Sequence, residues 1–244
     1  MTNAIDLNCD MGEGMPNDAA LMPYISSANI ACGFHAGDED IMAITIHLCK
    51  EFGVRIGAHP SFPDRVNFGR THMDMNPQEI YVLVRQQIAL LKKIVLAEEE
   101  TLHHVKPHGA LYNASAKDPA IAKAIAQAVF DEGPELVLFG LSGSCSIDAA
   151  EALGLKTAHE VFGDRAYQSD GSLVPRNQAK ACLEDIHEVQ TQVKRMVERQ
   201  EVQAISGEMI PLHVNTICIH GDGPHALEFA KAIRELVDLL DGDA

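Results

Sequence analysis

The sequence predicts an α/β barrel, with parallel strands inside and helices outside. Seven short apolar segments alternate with helical segments along the 244 residues, a pattern typical of parallel sheets covered by helices. Polar residues follow nearly every apolar segment. Because a barrel draws its site from many strand ends and an open doubly wound sheet from one switch point, we favour a barrel. We expect one domain over residues 1–244.

Each predicted strand is a short apolar run that ends in polar residues. The segments are 4–9, 27–32, 54–58, 102–106, 135–140, 155–159 and 215–219. Capping signals predict the helices between them. Asp38 and Gly53 bound a helix over 39–52, and Asn76 with Glu79 forms a capping box that opens a helix to about residue 99. Further helices are predicted from Asp118 onward, near 146–153, over about 181–200 and from Asp222 onward.

Composition and charge exclude several classes of protein. The chain has 19 Lys and Arg against 35 Asp and Glu, a net charge of −16, which argues against nucleic-acid binding and against attachment to a membrane surface. The N-terminus does not resemble a signal peptide, and no apolar run approaches the roughly 20 residues of a membrane span. Six cysteines form no CxxC pair, so we expect reduced thiols in a cytoplasmic protein.

Residues able to transfer protons or bind anions follow the predicted strands. Because parallel strands end at one face of a barrel, we expect these residues to meet there. The candidates for catalysis are Asp10, His35, His59, His108 and Glu160. The candidates for binding substrate or phosphate are Glu13, Asp38, Arg70, Lys106, Tyr112, Asn113, Asp164, Arg165, His220 and Asp222, with Arg176 as a further cation. Any one of them has a structural alternative, since an Asp caps helices and a single His is usually structural, but the combination favours a site.

A metal site is a second interpretation of some of these residues. His35, His59 and His108 with Asp10 could bind Zn²⁺ or Mn²⁺, and Asp10, His35 and His59 are the candidate ligands. The spacing is not that of HExxH, so the presence of a tightly bound transition metal is left open. No Walker A loop, GxGxxG fingerprint or GxSxG elbow occurs in the sequence.

Six segments, in order and over nearly the whole chain, resemble the LamB/YcsF family, the A subunits of ATP-hydrolysing 5-oxoprolinases. They are 5–14 (IDLNCDMGEG), 27–38 (SANIACGFHAGD), 56–60 (IGAHP) with 68–70 (FGR), 105–113 (VKPHGALYN), 160–167 (EVFGDRAY) with 170–171, and 217–222 (ICIHGD). Asn8, in the first segment, joins the candidates for substrate binding. The chain departs from the family in a shorter stretch at 14–18, in Thr71 where a second Arg is common, and in Gly163 where Ala is common.

The resemblance implies an irregular seven-stranded β/α barrel, similar to that of polysaccharide deacetylases and related glycoside hydrolases. It implies hydrolytic opening of the lactam 5-oxoproline to L-glutamate, with Mg-ATP as co-substrate and with 5-oxoprolinase subunits B and C as partners. In this chemistry Asp10 or Glu160 suits the base, His59 or His108 the acid, and Lys106 with Arg165 the anions. Two alternatives are a metal-dependent deacetylase or amidohydrolase acting on an N-acyl substrate, and a non-catalytic ligand-binding subunit.

Overall fold

The predicted barrel is confirmed by a computed structural model, which describes residues 5–219 and 225–242. The strands in this part of the chain are β1 (Asp6–Met11), β2 (Ser27–Ala31), β3 (Arg55–His59), β4 (Leu102–Val105), β5 (Val137–Leu141), β6 (Lys156–Phe162), β7 (Glu201–Gln203), β8 (Met209–Pro211) and β9 (Thr216–Ile219). Strands β1 to β6 and β9 are parallel neighbours in a closed barrel of seven strands. Strand β9 pairs with both β6 and β1 and so closes the barrel.

Helices connect the barrel strands, and a last helix follows β9. They are α1 (Asp18–Leu21), α2 (Glu39–Phe52), α3 (Pro77–Ala97), α4 (Gly109–Lys117), α5 (Pro119–Glu132), α6 (Cys145–Ala152), α7 (Ile186–Arg199) and α8 (Ala226–Gly242). The predicted helix caps at Asp38 and Asn76 are confirmed. Asp38 accepts a hydrogen bond from the Ile41 amide, and Asn76 and Glu79 form the expected reciprocal box. No helix among the described residues has both the length and the apolar character needed to cross a membrane.

The structure differs from the prediction in several elements. Helix α1 was not predicted, because its four residues are too few to show a helical period. The other differences also have local reasons. Helix α7 starts at Ile186, later than expected, because the Leu183 amide instead bonds to the carbonyl of Asp164 and Asp185 caps the helix. Helix α4 was not predicted, since its sequence is rich in small residues and no side chain caps its start. The antiparallel pair of β7 and β8 was also not predicted, because three residues per strand are too few to show alternation.

Polar side chains occupy the barrel interior and form a hydrogen-bond network that extends toward the carboxyl ends of the strands. Asn8 donates to Thr216 Oγ1 at 2.7 Å, and Asn29 donates to Asn8 Oδ1 at 2.8 Å and to Asp10 Oδ1 at 2.9 Å. His104 Nε2 lies 2.9 Å from Asn29 Oδ1. Buried polar groups are stable only when they are paired. The network therefore holds the strands in register and fixes Asp10 at the end of β1.

We expect Gly57→Ala to destabilise the barrel. A Cβ at this position would lie 2.1 Å from His104 Nε2. The His104 ring is fully buried and stacked on Phe139 with 4.1 Å between centroids, so it has no room to move. Overpacking of this kind costs about 1–3 kcal/mol, and we expect a loss at the upper end of that range. Urea unfolding followed by circular dichroism measures it.

Gly163→Ala is the matched control. Its Cβ would lie 3.0 Å from Val193 Cγ2 and 3.2 Å from Ile233 Cδ1. Both are methyl groups at the ends of side chains, which can shift by a few tenths of an ångström. We expect a change in the free energy of unfolding of less than about 1 kcal/mol. Equal losses in the two variants would contradict the claim that the interior around Gly57 is the more crowded position.

Candidate active site

A buried ammonium group lies at the carboxyl end of the barrel. Lys106, directly after β4, is 2 % exposed. Its Nζ lies 2.8 Å from Glu160 Oε1 and 3.0 Å from Asp10 Oδ1, and it donates to Asn8 Oδ1 at 3.1 Å. Burial alone would lower the pKa of Lys106, but the Asp10 and Glu160 carboxylates raise it well above its ordinary value. Lys106 is therefore a fixed positive charge.

Asp10 lies between this ammonium group and a histidine. Its Oδ1 accepts from Lys106 and from Asn29, and its Oδ2 lies 3.3 Å from His59 Nε2. Burial alone would raise the pKa of the Asp10 carboxyl, but His59 and Lys106 together hold it well below the usual value. Asp10 also lines the cavity described below. It is therefore an ionised carboxylate, held in place and open to a ligand.

Glu160, near the end of β6, is the second partner of Lys106 and is fully buried. Tyr112, on α4, is buried beside it. Burial, followed by the charge of Glu160, raises the pKa of Tyr112 well above its ordinary value, so the phenol stays neutral. The Tyr112 hydroxyl has no well-aligned hydrogen-bond partner among the described residues. Glu160 thus balances Lys106 from the side away from the cavity.

Three imidazoles and one carboxylate form what we call the histidine cluster: His35, His59, His108 and Glu13. The His35 and His108 rings stack with centroids 3.9 Å apart, and His59 meets both edge-on. One ligand atom from each of the four residues lies within 4.8 Å of the others. Burial lowers the pKa of His108 to about 3, and lowers that of His35 further still, so both rings are neutral near neutral pH.

Neighbouring groups fix the orientation of each ring. His59 Nδ1 lies 2.7 Å from the Lys106 carbonyl oxygen, and His108 Nε2 lies 2.9 Å from that of Phe68. His35 Nδ1 lies 2.8 Å from Ser61 Oγ. These contacts turn the opposite nitrogen of each ring toward the centre of the cluster.

The loop that supplies two of these partners lies directly over the rings. At Gly69 a Cβ would lie 2.9 Å from His108 Cδ2 and 3.0 Å from His35 Cβ, and φ is +65°. Only glycine combines this conformation with so close an approach. Gln87 of α3 holds the start of the loop, since its side chain exchanges two hydrogen bonds with the backbone of Ser61. The FGR segment therefore helps to position the histidine cluster.

A cavity of about 510 Å³ opens above these groups. The residues at its floor are Asp10, Glu13, His59, Lys106 and His108. Three exposed cations line its outer part, and we call them the cationic rim: Arg70, Lys117 and Arg176. Arg165 also lines the cavity, but its Nε and Nη2 donate to the carbonyls of Ala181 and Val174 at 3.1 and 2.6 Å. The cavity thus pairs an acid–base floor with a rim suited to anions.

The structure brings most of the candidate residues together. Ten of them line the cavity: Asp10, Glu13, His59, Arg70, Lys106, His108, Tyr112, Asn113, Arg165 and Arg176. Asn8, His35 and Glu160 lie directly behind this surface and contact it. Asp38 is an exposed helix cap, and neither it nor Asp164 is among the residues found to line the cavity. His220 and Asp222 lie outside the described residues.

Four residues that line the cavity or position its side chains were not among the candidates predicted from the sequence. They are Asn29, Ser61, Gln87 and Lys117. Gln87 could have been identified from the sequence, because it is a polar residue on the apolar face of α3, between Val84 and Leu91. Ser61 carried no such signal, because its role follows from where its loop crosses the barrel.

Lys106→Met tests the charge balance at the floor. The variant leaves Asp10 and Glu160 as buried carboxylates without their cation, and breaking such a pair costs about 3–5 kcal/mol. We expect a loss of this size in urea unfolding, partly recovered when Glu160→Gln is added. Lys50→Met is the control. The Lys50 side chain is 44 % exposed in its ion pair with Glu100, so we expect a loss of less than about 1 kcal/mol. Similar losses in the two lysine variants would contradict the proposed balance.

Comparison with known proteins places the fold and the site in a family. A model of the LamB/YcsF family matches residues 5–241. The A subunit of 5-oxoprolinase from Brevibacillus brevis (strain 47) is 52% identical over 236 residues, which cover 95% of this chain and 93% of that protein. The crystal structure of a lactam utilization protein from Thermus thermophilus matches with a TM-score of 0.91 and 40% identity, and covers 98% of both chains.

A more distant match concerns the fold alone. A family 4 carbohydrate esterase from Streptomyces lividans matches with a TM-score of 0.50 and 10% identity, over 98% of this chain and 90% of that one. It supports the expected likeness to the barrels of carbohydrate esterases. The family model and the Brevibacillus relative both extend over nearly the whole chain, and this protein therefore belongs to the LamB/YcsF family.

Proposed function

We propose that this chain opens the lactam ring of 5-oxoproline to give L-glutamate, in an ATP-dependent reaction carried out with subunits B and C of a 5-oxoprolinase. The relatives that are named as A subunits of 5-oxoprolinases support this proposal. The structural observation that carries it is Asp10, an ionised carboxylate held by Lys106 beside His59 and facing a cavity with a cationic rim. The reduced thiols and the use of ATP are consistent with a cytoplasmic location.

The chemistry of the substrate explains why ATP is required. A five-membered lactam is an unstrained amide, so its carbonyl must be activated before water attacks it. Transfer of the γ-phosphoryl group to the amide oxygen provides this activation. Water then adds to the ring carbon, the carbon–nitrogen bond breaks, and the nitrogen becomes the amino group. The resulting acyl phosphate reacts with a second water to give glutamate and phosphate.

The residues of the cavity suit these steps. Asp10 is the base that accepts a proton from the attacking water, because it is the ionised carboxylate in contact with both Lys106 and the cavity. Glu160 holds Lys106 from behind. Lys106 stabilises negative charge as it develops on the substrate, and His59, whose Nε2 lies 3.3 Å from Asp10 Oδ2, suits the return of a proton to the ring nitrogen. His108 does not suit this role, because burial lowers its pKa to about 3.

The cationic rim suits the two anionic groups of the activated substrate, a carboxylate and a phosphate. Arg70, Lys117 and Arg176 are exposed around the opening, so they offer positive charge in a chain whose net charge is −16. Since the chain lacks a Walker A loop, we assign at least part of the phosphoryl transfer to a partner protein of the complex.

The first experiment measures glutamate release from 5-oxoproline and Mg-ATP with this chain alone, with subunits B and C alone, and with all three. We expect glutamate only from the complete mixture. Glutamate from B and C alone at the same rate would overturn the proposal. If site variants of this chain then retained full turnover, the chain would be a non-catalytic ligand-binding subunit.

Asp10→Asn tests the assignment of the base. The amide keeps the shape of the side chain and removes its basicity, so we expect the rate in the complete mixture to fall by about 10²–10⁴-fold. Asp118→Asn is the matched control. Asp118 caps α5, and Asn caps helices as well as Asp does. Circular dichroism verifies that both variants are folded, and a rate for Asp10→Asn within a few-fold of the original would contradict the assignment.

A metal-dependent deacetylase or amidohydrolase acting on an N-acyl substrate is the second candidate. The histidine cluster favours it, since three imidazoles beside a carboxylate are suited to a catalytic metal. Acetate release from N-acetylated sugars by this chain alone, dependent on added Zn²⁺ or Mn²⁺, would support it over ring opening.

A further inference from the structure

The inner nitrogens of the histidine cluster are all hydrogen-bond acceptors when the rings are neutral. His59 Nδ1 and His108 Nε2 each face a backbone carbonyl oxygen, which only accepts. Each of these outer nitrogens must therefore carry the ring hydrogen. His59 Nε2 and His108 Nδ1 are then left with lone pairs, 2.9 Å apart.

His35 is oriented in the same way through Ser61. The Ser61 hydroxyl donates its hydrogen to the Phe62 carbonyl at 2.9 Å, so its oxygen accepts from His35 Nδ1. His35 Nε2 therefore also presents a lone pair, and it lies 3.1 Å from Glu13 Oε1. When all three rings are neutral, three imidazole lone pairs and a carboxylate oxygen thus lie together with no hydrogen between them. Such an arrangement is repulsive unless a cation lies at its centre.

The spacing of the four atoms fits a metal ion. Ligands at about 2.0–2.1 Å from a tetrahedral Zn²⁺ lie about 3.3–3.4 Å from one another. In the cluster, His108 Nδ1 lies 2.9 Å from His59 Nε2 and 3.6 Å from Glu13 Oε1, and His35 Nε2 lies 3.1 Å from the same oxygen. These three distances bracket the tetrahedral value. The four atoms all lie within 4.8 Å of one another, and the stacked rings of His35 and His108 must tilt for both to face one ion.

We propose that Glu13, His35, His59 and His108 bind one divalent transition-metal ion of the Zn²⁺ type at the floor of the cavity. Three imidazoles and one carboxylate form a donor set typical of such ions. The Ser61 hydroxyl and the carbonyls of residues 68 and 106 act as the outer partners that orient metal-binding histidines.

Glu13 replaces Asp10 in the ligand set that the sequence suggested. Asp10 Oδ1 already accepts from Lys106 and Asn29, whereas Glu13 Oε1 lies close to both His35 and His108. Asp10 is left beside the metal site, as a base within the same cavity. Four protein ligands fill a tetrahedral site, so a bound ion would reach water or substrate only through a fifth position or after one ligand has left.

Metal uptake by the whole chain tests the proposal. The purified protein is stripped with a chelator and dialysed against Zn²⁺, Mn²⁺ or Co²⁺ in turn, and bound metal is measured by elemental analysis. We expect one ion per chain for at least one of them, and visible absorption from bound Co²⁺ characteristic of nitrogen and oxygen ligands. Failure to retain any of the three ions stoichiometrically would overturn the proposal, and would mean that a shared proton satisfies the cluster.

Ligand variants separate this site from adventitious binding. We expect His35→Gln and His108→Gln each to weaken affinity by at least about 10–100-fold, since loss of an outer partner alone has an effect of this size. His187→Gln changes an exposed histidine on α7 and should leave affinity unchanged. Unchanged binding in the two cluster variants would overturn the proposal.

Two further measurements keep the test decisive if a histidine variant fails to fold. Added Zn²⁺ should raise the Tm of the unmodified chain, because an ion that binds the folded state stabilises it, and should not raise the Tm of Glu13→Gln. An equal rise in both would count against Glu13 as a ligand. None of these measurements uses ATP, lactam or a partner protein. Failure of metal binding therefore leaves the ring-opening proposal intact, and failure of ring opening leaves the metal-site proposal intact.

Discussion

Charge balance around Lys106 determines much of the architecture at the carboxyl end of the barrel. An ammonium group that is 2 % exposed requires paired anions, and β1 and β6 supply them as Asp10 and Glu160. These strands do not neighbour β4, which precedes Lys106, so the three groups meet across the barrel interior. The interior must then be polar enough to hold them, and Asn8 and Asn29 serve this purpose. A solid apolar core, common in barrels of this size, is incompatible with this arrangement.

The same balance separates the two electrostatic environments of the cavity. At the floor, Lys106 is offset by two carboxylates, so it fixes their positions and leaves no excess of positive charge. At the rim, Arg70, Lys117 and Arg176 are exposed, where screening by salt is strongest. An anionic ligand is thus attracted by the rim and meets a base at the floor. A chain with net charge −16 needs such a local reversal of sign if it is to bind anions.

Local signals made the fold predictable, and long-range contacts limited prediction of the site. The caps at Asp38 and Asn76 depend on residues within three positions along the chain, and both helices begin where expected. The barrel rule correctly placed His35, His59 and His108 together, because it requires only that strands be parallel. The rule could not predict that Glu13, and not Asp10, lies beside His35 and His108. The orientation of these two rings depends on contacts with a loop some 30 residues from His35, which the sequence pattern does not show. Nor could the rule show that Asp38 caps a helix away from the cavity.

The irregular closure of the barrel brings one cation of the rim, Arg176, from a part of the chain that supplies no residue to the floor. Residues 163–215 separate β6 from β9, where a regular barrel would have one more strand and helix. This segment supplies Arg165 and Arg176 to the cavity. It is tied to the barrel by Tyr167, whose hydroxyl accepts from the Phe162 amide, and by Gln192, which donates to the Phe162 carbonyl at the end of β6 and to the carbonyls of Gly163 and Arg165. Lys106, Asp10 and the histidine cluster come instead from the first half of the chain. A change at Arg176 therefore removes one cation of the rim and leaves Asp10, Lys106 and the histidine cluster in place, because none of these groups belongs to the segment.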